Sequence, residues 1–321
     1  TAFNADRLLN RHMVLPSYIH SHSSEFDFFH IVDHSYAHLV SAVPPGRAGV
    51  YCHDLDAFRS ILEPNKDPRP LWFRSLARRI LRGLQNAGVV FHSTREVRRQ
   101  LIEANLIPSE NLIHAPYGVA DEFTADAAQP IHLPDAGFPP GPFLLHVGSH
   151  SPRKRIDVLL DVFAAVRQRN PGLKLVQVGP PWNQHYVERI SRLGIGQDVL
   201  QFTGLKRERL AELYRRAAVV LVPSEAEGFG LPVIEALACG ATVIASDLPV
   251  LREVGGEAVI YGPVGNIPDW VDAVTRTLTD PGFAPPRDLR LSQTARYTWK
   301  EHARVIGEAY LGLMDKLCAR R

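Results

Sequence analysis

Short apolar runs alternate with longer amphipathic patterns along almost the whole chain. Helical spacing of apolar residues recurs between the runs, as in residues 155–169 and 208–217. Strands that alternate with helices predict an α/β fold with parallel sheets covered on both faces. Such sheets bind ligands at the carboxyl ends of their strands. The runs that predict strands are FDFFHIV (26–32), AGVYC (48–52), GVVFHS (88–93), NLIHAP (111–116), FLLHVG (143–148), LKLVQVG (173–179), AVVLVPS (218–224) and TVIAS (242–246).

A segment rich in proline and glycine divides this pattern in two. These residues crowd together within 123–142, where they end helices and strands alike, so we predict a linker over 126–142. One α/β unit is then expected over 1–125 and a second over 143–298. The last residues, 299–321, have apolar positions at helical spacing. They predict a long amphipathic helix that packs on one unit or across both, with the first unit as the expected partner.

The composition fits two domains and excludes several classes of protein. The chain has 321 residues, is 45% hydrophobic and carries a net charge of +2, so no nucleic-acid partner is expected. Cys52, Cys239 and Cys318 lie far apart without a CxxC spacing, which predicts reduced thiols in a cytoplasmic protein. No apolar run approaches the ~20 residues that cross a bilayer, and the N-terminus lacks the pattern of a secretion signal.

Most of the candidate chemistry lies in one stretch, PSEAEGFGLPVIEALACG, at residues 223–240. A helix is predicted to begin near Gly230 and Leu231, and the free N–H groups of a helix N-terminus favour a phosphate. Glu235, one turn further on, is suited to accept the paired hydroxyls of a ribose. Glu227, on the preceding loop, can meet another hydroxylated group. The stretch therefore predicts a nucleotide-sugar site with diphosphate, ribose and sugar held in that order.

A second stretch, HVGSHSPRKRIDVLL at residues 146–160, supports this interpretation. A strand breaks at Gly148, and Arg153, Lys154 and Arg155 follow just before a new helix. Fixed cations beside a helix start would stabilise the negative charge that builds on a departing diphosphate. The alternative is a solvated basic loop.

These two stretches resemble the donor domain of family 4 glycosyltransferases, which have the GT-B fold of two Rossmann-like domains that face each other across a cleft. The resemblance rests on residues 148–154 followed by Glu227-Gly-Phe-Gly-Leu-Pro-x-x-Glu235, which has the form of a Glu-x7-Glu motif. It implies that Glu235 holds the donor ribose and that Glu227 contacts the transferred sugar. It also implies that Lys154, together with Arg153, holds the diphosphate.

The resemblance adds further donor-binding positions. Gly148 and Ser149 form the first loop, and Thr203 and Gly204 match the loop that family members place near the base. Many members carry an arginine where this chain has Ser149, and Arg153 is expected to compensate.

The first half of the chain resembles the family more weakly. His53, in VYCHDLDAFR, matches a histidine that faces the donor sugar, and the alternative is a histidine satisfied at the end of a strand. Family members normally open with a strand and a glycine-rich loop, which this sequence does not show ahead of its first predicted strand. Either the N-terminus is trimmed or the numbering starts at the first ordered residue, and both alternatives stay open.

The resemblance implies a retaining hexosyltransferase that uses a nucleotide diphosphate sugar as donor and needs no metal or other cofactor. The implied acceptor is a glycan, a lipid-linked sugar or a small molecule, as in polysaccharide biosynthesis. Two alternatives stay open, a sugar-nucleotide epimerase of the same architecture and a catalytically silent partner subunit. Product formed without an acceptor would identify the first, and binding without turnover would identify the second.

Two motifs could hold a metal ion. Asp54-Leu55-Asp56 has the DxD spacing that places a divalent cation beside a diphosphate, but such short matches are common by chance. His34 and His38 stand four residues apart, a spacing that could chelate zinc, but no third ligand is evident. We expect no metal site.

The segment 71–84, LWFRSLARRILRGL, predicts a basic amphipathic helix. Such a helix could rest on the anionic inner face of a membrane, which would suit a lipid-linked acceptor. The favoured interpretation is an ordinary domain helix with its apolar face on a sheet, because the α/β pattern requires a helix here.

Overall fold

The computed structural model describes residues 2–126 and 138–319, and the chain forms two compact units. The first unit comprises Thr1–Pro116 and Lys300–Arg321, and the second comprises Tyr117–Trp299. The chain thus enters the second unit ahead of the segment expected as a linker. Part of that segment, 127–137, lies outside the described residues.

The first unit is built on a parallel sheet of four strands in sequential order. All four fall within predicted apolar runs. The first strand is shorter than its run at 26–32 because its pairing with the second strand covers only three residues. The strands are β1 (Phe29–Ile31), β2 (Ala48–Cys52), β3 (Val89–His92) and β4 (Leu112–His114). The α-helices are α1 (Ala2–Leu9), α2 (Leu15–Ser21), α3 (Arg59–Leu62), α4 (Leu71–Gln85) and α5 (Arg95–Glu103), with a π-helical turn at Asn10–Val14 and a 3-10 helix at His34–Ala42.

Helix α4 is the segment considered above for membrane contact. Its apolar residues Ile80, Leu81 and Leu84 pack on the core of the first unit, as the domain-helix interpretation predicts. Leu71 and Trp72, at its start, are exposed. Among residues 2–126 and 138–319, no helix is both long and apolar enough to cross a bilayer.

The second unit is built on a parallel sheet of six strands in the order β10-β9-β8-β5-β6-β7. The sequence predicted four of these strands and missed β7 and β10, which form the two edges. Strand order reverses between β5 and β8, so their carboxyl ends flank a topological switch point. The strands are β5 (Phe143–Val147), β6 (Lys174–Val178), β7 (Val199–Phe202), β8 (Val219–Val222), β9 (Val243–Ser246) and β10 (Ile260–Gly262). The helices are α6 (Ile156–Arg167), α7 (Gln184–Arg192), α8 (Arg207–Arg216), α9 (Leu231–Ala238), α10 (Pro249–Gly255), α11 (Ile267–Thr279) and α12 (Arg287–Thr294).

Apolar layers cover both faces of this sheet. Leu144 and Leu145, neighbours on β5, belong to opposite layers because successive side chains of a strand point to opposite faces. Trp270 fills one layer and Tyr214 the other, and both are almost fully buried. The sheet is therefore a rigid support for the loops at its carboxyl edge.

The chain enters and leaves the second unit through segments that lie side by side. The Val119 N–H donates to the Tyr297 carbonyl at 2.9 Å, and Val119 forms an isolated parallel bridge with Thr298. At Gly118 an added Cβ would lie 2.1 Å from the Trp299 nitrogen, so only glycine permits this approach.

The C-terminal residues form helix α13 (Trp299–Cys318), as predicted. Its Tyr310 hydroxyl donates to the Phe29 carbonyl at 3.2 Å and lies 2.9 Å from His30 Nδ1. Helix α13 thus contacts the sheet of the first unit. The cysteines are free, with Cys52 and Cys239 buried and Cys318 exposed.

Helix α4 approaches the 3-10 helix so closely that only glycine fits at one position. A Cβ at Gly83 would lie 2.0 Å from the Ala37 carbonyl oxygen. We expect Gly83→Ala to lower the free energy of unfolding by about 1–3 kcal/mol, because the two backbones must separate. Gly312→Ala, in helix α13, is the matched control, since a Cβ there has nothing within 4 Å. It should stabilise the chain by up to about 1 kcal/mol. Thermal unfolding of both variants checks this, and equal shifts would contradict the close approach.

Candidate active site

The two stretches singled out in the sequence meet at the carboxyl edge of the second sheet. One forms the loop after β5 and the other the loop after β8, so they occupy the two sides of the switch point. A backbone hydrogen bond from the Glu225 N–H to the Arg153 carbonyl, at 2.8 Å, joins them. Sheets of this class bind ligands at such a position.

The predicted acid and the predicted cations form one cluster. Lys154 Nζ donates to Glu227 Oε1 at 2.5 Å, and Arg153 Nη1 donates to Oε2 at 3.1 Å. The Ser224 hydroxyl also donates to Oε1, at 2.7 Å. The side chains of Glu227 and Lys154 are only 5% and 11% exposed, respectively. An ammonium group has three N–H donors, so Lys154 can hold Glu227 and an incoming anion together.

Arg155, the third predicted cation, has a different environment. Its backbone is left-handed, with φ of 49°, where it ends the turn before α6. Its guanidinium donates to Asp157 at 2.9 Å and to Glu225 at 3.4 Å. Arg155 therefore links the two loops through its carboxylate partners, Asp157 and Glu225.

Helix α9 begins where the glycine-rich loop ends. Gly230 is its N-cap, with φ of 94°, and an added Cβ would lie 2.6 Å from Leu251 Cδ2. A positive φ is accessible mainly to glycine, so this residue type fixes the start of the helix. Leu231, the first helical residue, is exposed, and Pro232 stands in the first turn, where a missing N–H costs nothing. The helix N-terminus is thus open to a ligand.

Glu235 lies one turn into α9 and is largely covered. The Tyr214 hydroxyl of α8 donates to Glu235 Oε2 at 3.0 Å. Burial raises the pKa of the Glu235 carboxyl, and the hydrogen bond from Tyr214 and the charge of Arg207 oppose that rise. Glu235 is a partly buried carboxylate that accepts a hydrogen bond from a neutral donor, whereas Glu227 pairs with two cations.

Three polar residues that the sequence analysis missed lie in a row beneath these loops. His146 on β5 is in register with Gln177 on β6, and Gln177 is in register with Gln201 on β7. Each stands one residue before the end of its strand. The available signal was a polar residue inside an otherwise apolar run, as in FLLHV and KLVQV.

This row supports the loop at Gly148. Gln201 Nε2 donates to Gln177 Oε1 at 2.9 Å, and Gln177 Nε2 donates to the Gly148 carbonyl at 3.0 Å. His146 Nδ1 donates to the Leu221 carbonyl at 3.0 Å, and its Nε2 has no partner among the described residues. Burial lowers the pKa of His146 to about 4, so the ring is neutral. The loop conformation is therefore set by buried polar contacts.

The remaining predicted donor-binding residues are exposed. Ser149 follows Gly148 on the surface, and Thr203 and Gly204 follow β7 at the same edge of the sheet. Gly204 has φ of 61°, a left-handed conformation that turns the chain toward α8. The predicted residues of the second unit thus lie on loops or helix starts at the carboxyl ends of its strands, except Glu235, which lies one turn into α9.

His53 lies in the first unit, after β2, and is half-buried. Its backbone N–H donates to His34 Nδ1 at 3.2 Å, and its ring centroid lies 5.1 Å from that of Tyr51. His53 therefore contacts His34 and Tyr51 within the first unit.

The two possible metal motifs have other partners in the structure. His38 Nε2 donates to the Arg11 carbonyl at 2.9 Å, whereas His34 lies 3.7 Å from Asp54 Oδ1. Asp54 Oδ1 also accepts the Asp56 N–H at 3.0 Å, closing a local turn. Within the described ranges, no group of three or more His, Cys, Asp or Glu side chains could hold a metal ion.

Known proteins resemble this chain in fold. Sucrose-phosphate synthase from Thermosynechococcus elongatus superposes with a TM-score of 0.74 at 21% identity, covering 93% of this chain and 77% of that one. HepE of Anabaena, solved in complex with UDP-glucose, gives a TM-score of 0.70 at 16% identity, covering 97% and 84%. These likenesses confirm the predicted GT-B fold.

The sequence matches are consistent with that fold. The serotype-specific mannosyltransferase WbdA of Escherichia coli is 30% identical over 287 residues, covering 84% of this chain and 34% of that protein. This chain thus spans about a third of the length of that relative. Residues 134–298 match the family described as glycosyl transferases group 1, which is more than half of the chain. The chain belongs to this glycosyltransferase family.

Proposed function

We propose that this chain is a retaining family 4 glycosyltransferase that moves a hexose from a nucleoside diphosphate sugar to an acceptor. One observation carries the proposal. Lys154, Arg153 and Glu227 form a single cluster at the switch point of the second sheet, and Glu235 lies on the helix that begins beside it. Cations, a carboxylate and an open helix N-terminus together match the groups of a sugar nucleotide.

In the proposed complex, the diphosphate binds to the N–H groups near Gly230 and Leu231 and to Lys154. Glu235 accepts the ribose hydroxyls, and Thr203 and Gly204 lie near the base. Ser149 and Gly148 form the remaining wall of the donor site. The positive charge of Lys154 and Arg153 would serve where a metal ion serves in other transferases, so the proposed reaction needs no cofactor.

The proposed chemistry depends on charge stabilisation and orientation. When the bond between sugar and phosphate breaks, Lys154 and Arg153 stabilise the charge that develops on the leaving diphosphate. The acceptor attacks from the same face, and a leaving phosphate oxygen takes its proton, which retains the configuration at the anomeric carbon. Glu227 already accepts three hydrogen bonds, from Lys154, Arg153 and Ser224. A carboxylate so engaged is a poor nucleophile, so we assign Glu227 to orienting the sugar.

The relatives support the proposed substrates. WbdA is named a mannosyltransferase, which favours a hexose as the transferred sugar, and HepE was solved with UDP-glucose, which favours a nucleoside diphosphate sugar as the donor. A lipid-linked or small-molecule acceptor would use the same donor chemistry. His53 stays a proposed contact of the donor sugar, and membrane contact through residues 71–84 stays a prediction.

A donor screen tests the proposal. Thermal unfolding is measured with UDP-, GDP-, ADP- and dTDP-sugars, and a donor at about 100 times its Kd should stabilise the chain by about 2.7 kcal/mol. Glu235→Gln should lose most of this shift because an amide cannot accept two hydroxyls as a carboxylate does. Glu225→Gln is the matched control, since Glu225 lies on the loop after β8 and pairs with Arg155 of the loop after β5.

Four outcomes would contradict or redirect the proposal. If no sugar nucleotide stabilises the chain, or if both glutamine variants behave alike, the donor-site assignment fails. Conversion of the donor without an acceptor would show an epimerase. Binding with neither transfer nor hydrolysis would show a silent partner subunit.

A further inference from the structure

Within residues 2–126 and 138–319, Tyr214 of helix α8 donates a hydrogen bond to Glu235 of the neighbouring helix α9. The tyrosine lies in the last turn of α8, is fully buried and packs edge-to-face on Phe123, with ring centroids 5.8 Å apart. Its hydroxyl donates to Glu235 Oε2 at 3.0 Å. A ring held in the core places its hydroxyl oxygen at a fixed point, so the hydrogen bond fixes one oxygen of the carboxylate.

The hydroxyl remains a donor at any working pH. Burial and the nearby Glu235 carboxylate raise the pKa of Tyr214 well above its ordinary value. The second carboxylate oxygen, and the second lone pair of Oε2, then remain for a ligand. Two acceptors held at fixed positions suit two adjacent hydroxyls, such as the 2′ and 3′ hydroxyls of a ribose.

The geometry points to Tyr214 as a positioning residue that orients Glu235 to accept both ribose hydroxyls, and thereby makes the donor site select ribonucleotides over 2′-deoxyribonucleotides. This inference rests on the proposed function, in which Glu235 holds the ribose. It adds the residue that sets the selectivity of that contact. The sequence analysis did not single out Tyr214.

The same contact controls the charge of Glu235. Tyr214 and Arg207 on α8 lower the pKa of this carboxyl, whereas burial raises it by more. Cys239, one turn along α9, has a pKa raised by burial to about 12, so it adds no charge. The charged carboxylate is the form that accepts hydroxyls, so donor affinity falls as pH drops through this raised pKa. Removing the Tyr214 hydroxyl raises the pKa further, so the loss moves to higher pH.

The test compares the wild type with Tyr214→Phe, which removes one oxygen and keeps the ring. Calorimetric titrations use GDP, UDP and ADP and the 2′-deoxy form of each, and the tightest-binding base is then followed from pH 5 to pH 8. The wild type should bind the ribonucleotide about tenfold or more tightly than the deoxy form, as expected for a hydrogen bond to a charged group. Tyr214→Phe should weaken binding of the ribonucleotide about tenfold. The substitution should weaken binding of the 2′-deoxynucleotide by a smaller factor. The decrease in affinity on acidification should also begin at a higher pH than in the wild type.

Controls separate this inference from the proposed function. Tyr186→Phe, on α7 in the opposite apolar layer, should leave discrimination unchanged. Thermal unfolding without nucleotide confirms that each variant is folded. If Glu235→Gln lowers affinity but Tyr214→Phe discriminates as the wild type does, the inference fails and the proposed function stands. If Glu235→Gln has no effect, if no nucleotide binds, or if a dTDP-sugar is the preferred donor, the ribose contact itself is overturned.

Discussion

Replacing Lys154 by alanine is expected to lower kcat by about 100- to 1,000-fold, with a smaller effect on KM for the donor. In the proposed mechanism, the ammonium group stabilises charge which appears mainly as the diphosphate departs. Its 2.5 Å contact with Glu227 holds it at that place in advance. Steady-state kinetics with the donor identified in the screen measure both constants.

The chain offers a matched control for this substitution. Lys174, at the amino end of β6, also pairs with a buried carboxylate, Asp198, at 2.6 Å, and Asp198 has a second cationic partner in Arg167. Lys174→Ala thus removes an equivalent ion pair at the opposite end of the strands. Both variants should lose stability, but only Lys154→Ala should lose turnover. Equal losses of kcat would mean that the Lys154 effect is structural.

The second large effect is expected for Glu227→Gln. The amide keeps the shape of the side chain but leaves Lys154 and Arg153 without their negative partner, so the cations reorient and the sugar loses its acceptor. We expect kcat/KM to fall about 1,000-fold, comparable to the loss of a central group in a preorganised site. The free energy of unfolding should fall by about 1–3 kcal/mol, since two buried ion pairs become hydrogen bonds between a cation and a neutral amide. Kinetics and denaturant unfolding of the same preparation measure the two effects separately.

A double variant tests whether the cluster acts as a unit. If Lys154 and Glu227 depend on each other, the loss in Lys154→Ala/Glu227→Gln should be close to that of either single variant. Losses that multiply would show two independent contacts, one to the phosphate and one to the sugar. That outcome would contradict the role of the ion pair.

Much of the fold could be predicted because apolar runs and helical patterns alternate clearly. The eight predicted strands all exist, and residues 48–52 match β2 at both ends. The two missed strands are edges of the second sheet, and β7, with sequence VLQF, is only half-buried. A strand at the edge of a sheet has one neighbouring strand and can be shorter and less apolar than a central strand. The sequence pattern that predicts it is therefore weak.

The candidate site was predicted in part. Glycine spacing and charge type brought out Glu227, Glu235 and the cations, because those features belong to single loops. Sequence reasoning assigned Lys154 and Glu227 to different groups of the donor and could not show that they pair, since 73 positions separate them along the chain. The polar row at His146, Gln177 and Gln201 depends on strand register, which is visible only once the sheet is assembled.

The paired entry and exit of the second unit, at Val119 and Thr298, have a consequence for protein engineering. A module whose two junctions are neighbours can be cut out and replaced by the counterpart from a relative with only two adjacent splices. Chimaeras joined at Gly118 and Trp299 would exchange the whole unit that is proposed to bind the donor, while the first unit keeps its own sheet and helix α13. Nucleotide preference and acceptor preference could then be inherited from different parents.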